Sequence, residues 1–147
     1  MVDRLNPDER SRNMARIRGK NTRPEMRVRR AAHALGLRFR LHRRDLPGTP
    51  DLVFPGRRIA LFVNGCFWHR HPGCPKAYTP RSRLDFWQTK FKTNLERDAR
   101  NIAALTTAGW TPVVIWECET ADPDQLTAII NERIIQPASP GSETESY

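Results

Sequence analysis

The residues best suited to chemistry lie between Pro50 and Cys74, in the segment PDLVFPGRRIALFVNGCFWHRHPGC. This segment contains an aspartate directly after a proline, two adjacent aromatic residues, two of the four histidines and two of the three cysteines. Thiolates and imidazoles are ligands that zinc prefers, whereas a carboxylate suits a hard cation such as Mg²⁺. The segment therefore predicts a metal-dependent catalytic centre beside a structural zinc site.

The cysteines predict the zinc site. Cys66 and Cys74 lie in a loop rich in Pro, Gly and His, and Cys118 follows the apolar run TPVVIW. Together with either His69 or His71 they would supply the four ligands of tetrahedral zinc. Three buried free cysteines are the alternative, since cysteine is common in cores, but two cysteines in a polar loop favour zinc. Spacing alone leaves the choice of histidine open.

Two acidic residues are candidates for the catalytic centre. Asp51 stands at the start of an apolar strand, where a carboxylate could hold a Mg²⁺ ion that bridges a substrate phosphate. A single aspartate is weak support, because most are turn or capping residues. Glu25 also has a structural explanation, since it follows Thr22 by three residues in the pattern of a capping box.

The positive charge is confined to the first third of the chain. Residues 1–50 hold 14 Lys and Arg against 5 Asp and Glu, whereas residues 51–147 hold 11 of each. A polyanion is the natural partner of such a segment, with nucleic acid favoured over a membrane surface. No apolar run approaches the ~20 residues of a membrane-spanning helix, and the N-terminus is not that of a secretory signal. We therefore expect a cytoplasmic protein with reduced thiols.

The hydrophobic pattern predicts one α/β domain with a mixed sheet, in the order α-β-ββ-α-β-α. Residues 1–20 are expected to form a basic DNA-binding arm, 21–136 the folded domain and 137–147 a disordered tail. The predicted elements are a helix from Thr22 to Gly36, strands over Leu37–Leu41, Leu52–Phe54, Ile59–Val63 and Thr111–Trp116, a long helix from Ser82 or Arg83 to Ala108, and a last helix from Asp122.

Helical spacing also predicts which side chains are buried. The long helix would turn a stripe of apolar residues inward, and the last helix a second stripe. Phe86 is expected in the core and His33 on a helix surface, whereas the pattern assigns no role to His42. The two predicted stripes are Phe91, Leu95, Ala99, Ile102 and Leu105 (or Thr106), and Leu126, Ile129, Ile130 and Ile134.

Four segments together resemble the very short patch repair (Vsr) DNA mismatch endonucleases. They are RSRNMARIRGKNTRPE, LPGTPDLVFPGRRIALFVNGCFWHRHPGC, FWQTKFKTNLERDARN and GWTPVVIWECE, and GCFWH is the most specific element. The resemblance runs from about residue 11 to about residue 119. It implies a restriction-endonuclease-like core, with a central mixed sheet flanked by helices and a structural zinc site. It also implies a bacterial, nucleoid-associated enzyme that nicks DNA on the 5′ side of the T in T:G mismatches, which arise by deamination of 5-methylcytosine.

The same resemblance assigns catalytic roles. Asp51 would be the Mg²⁺ ligand and principal catalytic acid residue, and the main-chain carbonyl of Val63 would be a further metal contact. His69 would act in proton transfer at the attacking water, and Glu25 would bind metal-coordinated water. Asn64 stands where the best-known member has a second active-site histidine. Because an amide does not exchange a proton near neutral pH, His69 would carry proton transfer largely alone.

Metal ligands and DNA contacts follow from the same resemblance. Phe67, Trp68 and Trp87 would insert into the base stack as apolar wedges, and unstacking costs less at a weak T:G pair. Core packing of Phe67 or Trp68 is the less favoured alternative. Met14 aligns with a groove-inserting residue. Zinc would be held by Cys66, His71, Cys74 and Cys118, and phosphates would be neutralised by Arg12, Arg16, Arg18 and Lys20.

Other functions also fit these residues. A non-catalytic zinc DNA-binding module would leave Asp51 with only a structural role. A restriction-type nuclease would cut both strands of matched DNA, and a related endonuclease could have relaxed mismatch or sequence specificity. For a nicking enzyme we expect a monomer, because a nick needs one active site, and a mismatch-repair protein is a candidate partner.

Overall fold

A four-stranded mixed sheet organises residues 21–136, the part of the chain that the computed structural model describes. The predicted arm with Met14, Arg12, Arg16, Arg18 and Lys20, and the predicted tail, lie outside the described residues. The helices are α1 (Arg23–Ala34), α2 (Leu84–Thr107) and α3 (Pro123–Ile130), and the strands are β1 (Arg40–Leu41), β2 (Leu52–Phe54), β3 (Ile59–Asn64) and β4 (Thr111–Trp116). A π-helical turn, Asn131–Ile135, extends α3.

The strands follow one another across the sheet in the order β1-β2-β3-β4. β2 and β3 form the predicted antiparallel hairpin, with Leu52 opposite Leu61. β3 and β4 are parallel, with Asn64 opposite Trp116, because α2 carries the chain back before β4 begins. The prediction of a mixed sheet with helices is therefore confirmed.

Both faces of the sheet are covered by helices. Leu52 and Phe54 pack against α1 and α3, whereas Val53 between them packs beside Leu105 of α2. This division follows from the period of two in a strand, which sends neighbouring side chains to opposite faces. The predicted inward stripe of the last helix is confirmed, since all four residues are buried: Leu126, Ile129, Ile130 and Ile134.

The first helix begins and ends as its capping residues predict. The Thr22 hydroxyl accepts a hydrogen bond from the Glu25 backbone N–H at 3.3 Å. Gly36, with φ +80°, follows the helix in the left-handed conformation that glycine adopts without strain. Val28 and Ala32 are fully buried, and His33 is exposed as expected.

The prediction of a five-residue strand over Leu37–Leu41 is wrong. Only Arg40 and Leu41 pair with β2, and Leu41 at this edge of the sheet is exposed. β2 has three residues, and after Val53 and Leu52 have paired with Arg40 and Leu41 only Phe54 remains, so β2 is too short to pair with all five predicted residues. Leu37 and Phe39 nevertheless pack against the core from outside the sheet.

The predicted buried stripe of the long helix is partly wrong. Phe91 and Leu105 are buried, but Leu95 is 47% exposed and the buried residue between them is Asn94. The middle of α2 faces a polar cleft, so the inward side chains there are polar. Phe86, expected in the core, is 45% exposed and contacts Trp87. Among the described helices, none has the length and apolar composition needed to cross a membrane.

Candidate active site and metal centre

A cleft of about 630 Å³ opens where the hairpin, the middle of α2 and the loop after β3 meet. Its lining brings together side chains that are far apart in the chain. Among them are five residues predicted to act in catalysis or DNA contact: Asp51, Val63, Asn64, Trp68 and His69. Two further lining residues, His42 and Asp98, were not singled out by the sequence pattern.

Asp51 is held against the neighbouring strand of the hairpin. Its Oδ2 accepts a hydrogen bond from the Val63 backbone N–H at 2.8 Å, so both predicted metal contacts are adjacent. The pKa of Asp51 is raised to about 7, because burial raises it more than the Val63 hydrogen bond lowers it, and the nearby Glu25 carboxylate adds to the increase. A cation bound here would favour the charged form of this carboxylate.

Glu25 lies beneath the cleft and is 1% exposed. Its Oε1 accepts a hydrogen bond from the Asn21 backbone N–H at 2.9 Å, so the side chain reaches one residue beyond the helix cap. Its Oε2 lies 2.7 Å from His42 Nε2 and 3.6 Å from Arg29 Nη1. The donor atoms of Glu25, His42 and Asp51 all lie within 4.8 Å of one another.

His69 is paired with a carboxylate from α2. Its Nδ1 lies 2.6 Å from Asp98 Oδ2, which leaves Nε2 as the ring nitrogen free to exchange a proton with a reacting group. Sequence reasoning missed Asp98. Polar residues at 94, 98 and 101 recur with a helical period along the face that lines the cleft. This polar stripe is the sequence feature that could have indicated Asp98 as a site residue.

The loop after β3 is attached to α2 at the catalytic histidine candidate. Buried Asn94 donates from Nδ2 to the Trp68 carbonyl at 3.2 Å, and its Oδ1 accepts from Arg97 at 2.9 Å. Asn94 and Asp98 lie one helical turn apart, so one face of α2 holds two consecutive loop residues, Trp68 and His69. The orientation of the histidine is therefore set from both backbone and side chain.

A second donor group contains the three cysteines and His71. His71 Nδ1 lies 3.6 Å from Cys66 Sγ and 3.4 Å from Cys118 Sγ, and Cys74 completes a set whose donor atoms lie within 4.8 Å. Tetrahedral zinc with ordinary bond lengths would separate sulfur from nitrogen by about 3.5 Å. The four side chains fit zinc by donor type and by spacing. His69 lies elsewhere, against Asp98.

The strand register explains why these ligands meet. Asn64 is opposite Trp116 in the parallel pair, and Cys66 and Cys118 each follow two residues later. The Cys118 backbone N–H donates to Cys66 Sγ at 3.4 Å, and the His71 ring stacks on Trp116 at 4.2 Å. Burial raises the pKa of the Cys66 thiol, so a bound cation would be needed to stabilise its thiolate.

An aromatic cluster borders the cleft. The Phe67 ring lies 5.0 Å from Trp68, 5.4 Å from Trp87 and 5.3 Å from Phe91. Arg70 lies 3.8 Å over the Phe91 ring and donates hydrogen bonds to three loop carbonyls, those of Phe67, Ala77 and Tyr78. Phe67, Trp68 and Trp87, the three predicted wedge residues, are partly buried and contact one another outside the two core clusters.

Comparison with known proteins identifies the family of the chain. The family model described as DNA mismatch endonuclease Vsr matches residues 2–76, half of the chain. The chain belongs to the Vsr family. The matched region includes Glu25, Asp51, Val63, His69 and Cys74.

Relatives extend the similarity over most of the molecule. A Type II nicking enzyme, V.XorIIP of Xanthomonas oryzae pv. oryzae, is 55% identical over 128 residues, 87% of this chain and 93% of its own. The DNA mismatch endonuclease Vsr of Escherichia coli K12 is 38% identical over 86% of this chain and 81% of its own. The Type II nicking enzyme V.HpaIIP of Haemophilus parainfluenzae is 34% identical over 92% and 97%.

Membership of the Vsr family makes this protein a DNA endonuclease. Phosphodiester hydrolysis by such nucleases uses a divalent metal, and the carboxylates of Glu25 and Asp51 are suitable oxygen donors. The nuclease fold that the family implies agrees with the mixed sheet and flanking helices.

Proposed function

We propose that this Vsr-family protein is a Mg²⁺-dependent endonuclease that nicks one DNA strand on the 5′ side of the T in a T:G mismatch formed by deamination of 5-methylcytosine. The observation that carries the proposal is a single cleft lined by Asp51, Trp68 and the His69–Asp98 pair. A relative named as a mismatch endonuclease and others named as nicking enzymes support the same reaction.

Asp51, the Val63 carbonyl and, through water, Glu25 would hold the metal. When bound, Mg²⁺ would offset the negative charge that develops on the scissile phosphate. The residues fit such an ion because Asp51 lines the cleft with the buried Glu25 carboxylate close by, and Asp51 is fixed by the hairpin.

His69 would accept the proton of the attacking water at Nε2. Asp98 at Nδ1 would orient the imidazole and stabilise the imidazolium that forms. Asn64 also lines the cleft, where its amide could hold a phosphate or water by hydrogen bonds. The amide cannot take a proton near neutral pH, so His69 would be the principal base.

The aromatic cluster would recognise the mismatch. Phe67 and Trp68 directly precede His69 in the chain, and Trp87 packs against both. Apolar side chains that enter a base step pry it apart at a free-energy cost, and this cost is smaller at a weakly paired T:G step. The aromatic wedge and the general base His69 would then act on neighbouring nucleotides, which would couple mismatch recognition to strand cleavage.

Zinc at Cys66, His71, Cys74 and Cys118 would have a structural role. The four ligands are all protein side chains, which is the closed coordination of a structural site. They flank Phe67, Trp68 and His69 in the chain, so zinc would hold the loop that presents them.

Basic side chains outside the described residues would add sequence-independent affinity for DNA. Arg12, Arg16, Arg18 and Lys20 would neutralise phosphates, and Met14 would enter the groove beside them. We propose that residues 1–20 form this arm, that residues 21–136 form the endonuclease domain, and that a monomer with one active site is sufficient for a nick.

The test compares two duplexes that differ only by T:G or T:A at one position, with Mg²⁺ present. We expect wild type to nick the T-containing strand of the T:G duplex, and Asp51→Ala to lose this activity. Asp124→Ala, which removes an exposed aspartate at the start of α3, is the matched control and should nick normally.

Each alternative predicts a different result in this assay. Equal cleavage of both duplexes would overturn mismatch specificity and favour an endonuclease with relaxed specificity, which the nicking-enzyme names of several relatives also allow. Cleavage of both strands would indicate restriction-type activity. Absence of cleavage with any divalent cation would favour a zinc DNA-binding module.

A further inference from the structure

His42, to which the sequence pattern assigned no role, contacts both Glu25 and Asp51. Its Nε2 lies 2.7 Å from Glu25 Oε2, and its backbone N–H donates to the Asp51 carbonyl at 3.1 Å. The three side chains come from α1, the segment after β1 and the start of β2. Their donor atoms nevertheless converge within 4.8 Å.

The backbone at His42 is strained in a way that keeps this convergence. His42 has φ +48°, in the left-handed backbone region that residues other than glycine rarely adopt. Such a conformation persists where the surroundings impose it, and it is common at ligand-binding sites. Here the bonds to Asp51 and Glu25 hold the residue from both its backbone and its side chain.

The added imidazole changes the chemistry of the donor group. Carboxylates and water suit Mg²⁺, whereas a nitrogen donor favours first-row transition cations. We propose that Glu25, His42 and Asp51 form one cation-binding group in which His42 is a direct ligand, so that the site binds Mn²⁺ more tightly than it binds the Mg²⁺ of the proposed function. This inference rests on the metal position in the proposed function, and it adds a ligand and a metal preference to that site.

Cation binding without DNA tests the preference. The zinc-loaded protein is titrated with Mn²⁺, with free Mn²⁺ followed by electron paramagnetic resonance, and Mg²⁺ is measured by competition. His42→Gln should weaken Mn²⁺ binding by at least the roughly 10- to 100-fold that loss of an outer-shell partner of a metal ligand costs, with a much smaller effect on Mg²⁺. His33→Gln, an exposed histidine on α1, is the matched control and should change neither.

Two results of the titration would overturn the proposal. Equal loss of Mn²⁺ and Mg²⁺ affinity in His42→Gln would mean that His42 acts only by orienting Glu25 through their hydrogen bond. Unchanged Mn²⁺ affinity, or no Mn²⁺ binding by wild type, would remove His42 from the site altogether.

Pulsed electron paramagnetic resonance can test the proposal on the wild-type protein alone, so this test does not depend on whether a variant folds. The Mn²⁺ complex of wild type should show coupling to a histidine nitrogen, and its absence would overturn the proposal. The coupling should persist in His69→Gln, because His69 is paired with Asp98, and should disappear in His42→Gln and in His42→Asn. Asparagine tolerates the left-handed backbone, so His42→Asn tests the imidazole rather than the fold.

The metal proposal and the nicking proposal can fail separately. Nitrogen coupling in a protein that nicks neither duplex would overturn the proposed function and keep His42 as a ligand. Normal nicking of the T:G duplex without nitrogen coupling would do the reverse.

Discussion

His69 depends on one carboxylate for its orientation. Asp98 lies 2.6 Å from Nδ1 and is itself partly exposed in the cleft, so the pair can form without a deep desolvation cost. An imidazole that gains a proton becomes a cation, and a neighbouring carboxylate stabilises that cation. Asp98 should therefore affect the rate of the chemical step more than substrate binding.

Asp98→Asn should lower kcat for nicking by about 10²- to 10⁴-fold, the range of general-base effects, with little change in KM. The amide keeps the size of the side chain but not the charge that stabilises the imidazolium. Single-turnover kinetics would measure the loss. Asp85→Asn, in the exposed first turn of the same helix, should retain normal kcat, and an unaffected rate in Asp98→Asn would contradict the proposed role.

Asn64→His should leave the shape of the pH–rate profile unchanged if His69 is the principal base. The new imidazole would enter the cleft beside a base that is already oriented by Asp98. The nicking rate of the T:G duplex across pH would show this. A transformed profile with an additional ionisation would mean that two histidines share proton transfer when both are present.

How far the sequence predicts the site differs from residue to residue. Asp51, Cys66 and Cys74 stand in one recognisable segment, so their types and spacing indicate metal chemistry. His42 and Asp98 do not, because each joins the site only through chain folding: His42 through a left-handed backbone, Asp98 through the orientation of a helix face. Local patterns contain neither kind of information.

The loop between β3 and α2 is held by side-chain contacts as well as by turns of its own backbone. Its first part carries Cys66, His71 and Cys74, and α2 holds Trp68 and His69 between them through Asn94 and Asp98. Two histidines two residues apart therefore have different surroundings. His71 lies among sulfur atoms, and His69 lies against a carboxylate.

His71→Gln and His69→Gln should separate these two roles. We expect one zinc per chain in wild type, loss of zinc in His71→Gln because tetrahedral coordination would lack a ligand, and retained zinc with little nicking in His69→Gln. Elemental analysis and the mismatch assay would be read together. Zinc-free wild type, or zinc lost equally from both variants, would contradict the assignment.

Phe67→Ala and Trp87→Ala should each reduce discrimination between T:G and T:A duplexes, with a loss of roughly 1–3 kcal/mol in binding to the mismatched duplex, the size of a base–aromatic contact. Phe86→Ala is the control, because Phe86 is an exposed aromatic residue next to Trp87 in α2. Binding isotherms for both duplexes would measure the effect. An equal loss in Phe86→Ala would indicate a general structural defect.

Sequence patterns predicted the positions of the helices and strands better than they predicted which face of each element is buried. Alternation and capping located the hairpin and α1, and both are as expected. In α2 the apolar period suggested a continuous buried stripe, but Asn94 takes an inward position and Leu95 faces outward. A periodic pattern cannot show that part of a helix faces a polar cleft, because that depends on the elements opposite it.

The excess positive charge and most of the candidate catalytic residues lie in different parts of the chain. All of the excess positive charge lies within residues 1–50, whereas the catalytic and zinc candidates other than Glu25 and His42 lie after it. Phosphate contacts position a protein on DNA without reading sequence. Affinity should therefore be adjustable without loss of the nicking reaction.

Replacing Arg12, Arg16, Arg18 and Lys20 together by Gln should weaken binding to matched and mismatched DNA alike. The slope of log K against log salt should fall by about 3 to 4, because each neutralised phosphate contributes about 0.9. Fluorescence anisotropy at several salt concentrations would measure it. Gln substitutions at exposed Arg81 and Arg100 serve as a charge control, and an unchanged slope in the arm variant would exclude the arm from DNA binding.

The parallel pairing of β3 with β4 bears on the order in which the chain folds. Cys66 and Cys118 are 52 residues apart, and they meet only after α2 has brought β4 to the sheet. Contacts of such long range form late, since the loop must close first. Zinc held by Cys66, His71 and Cys74 would thus gain its fourth ligand in the last folding step. We expect zinc to slow unfolding far more than it accelerates folding, and so to act as a kinetic lock on the finished enzyme.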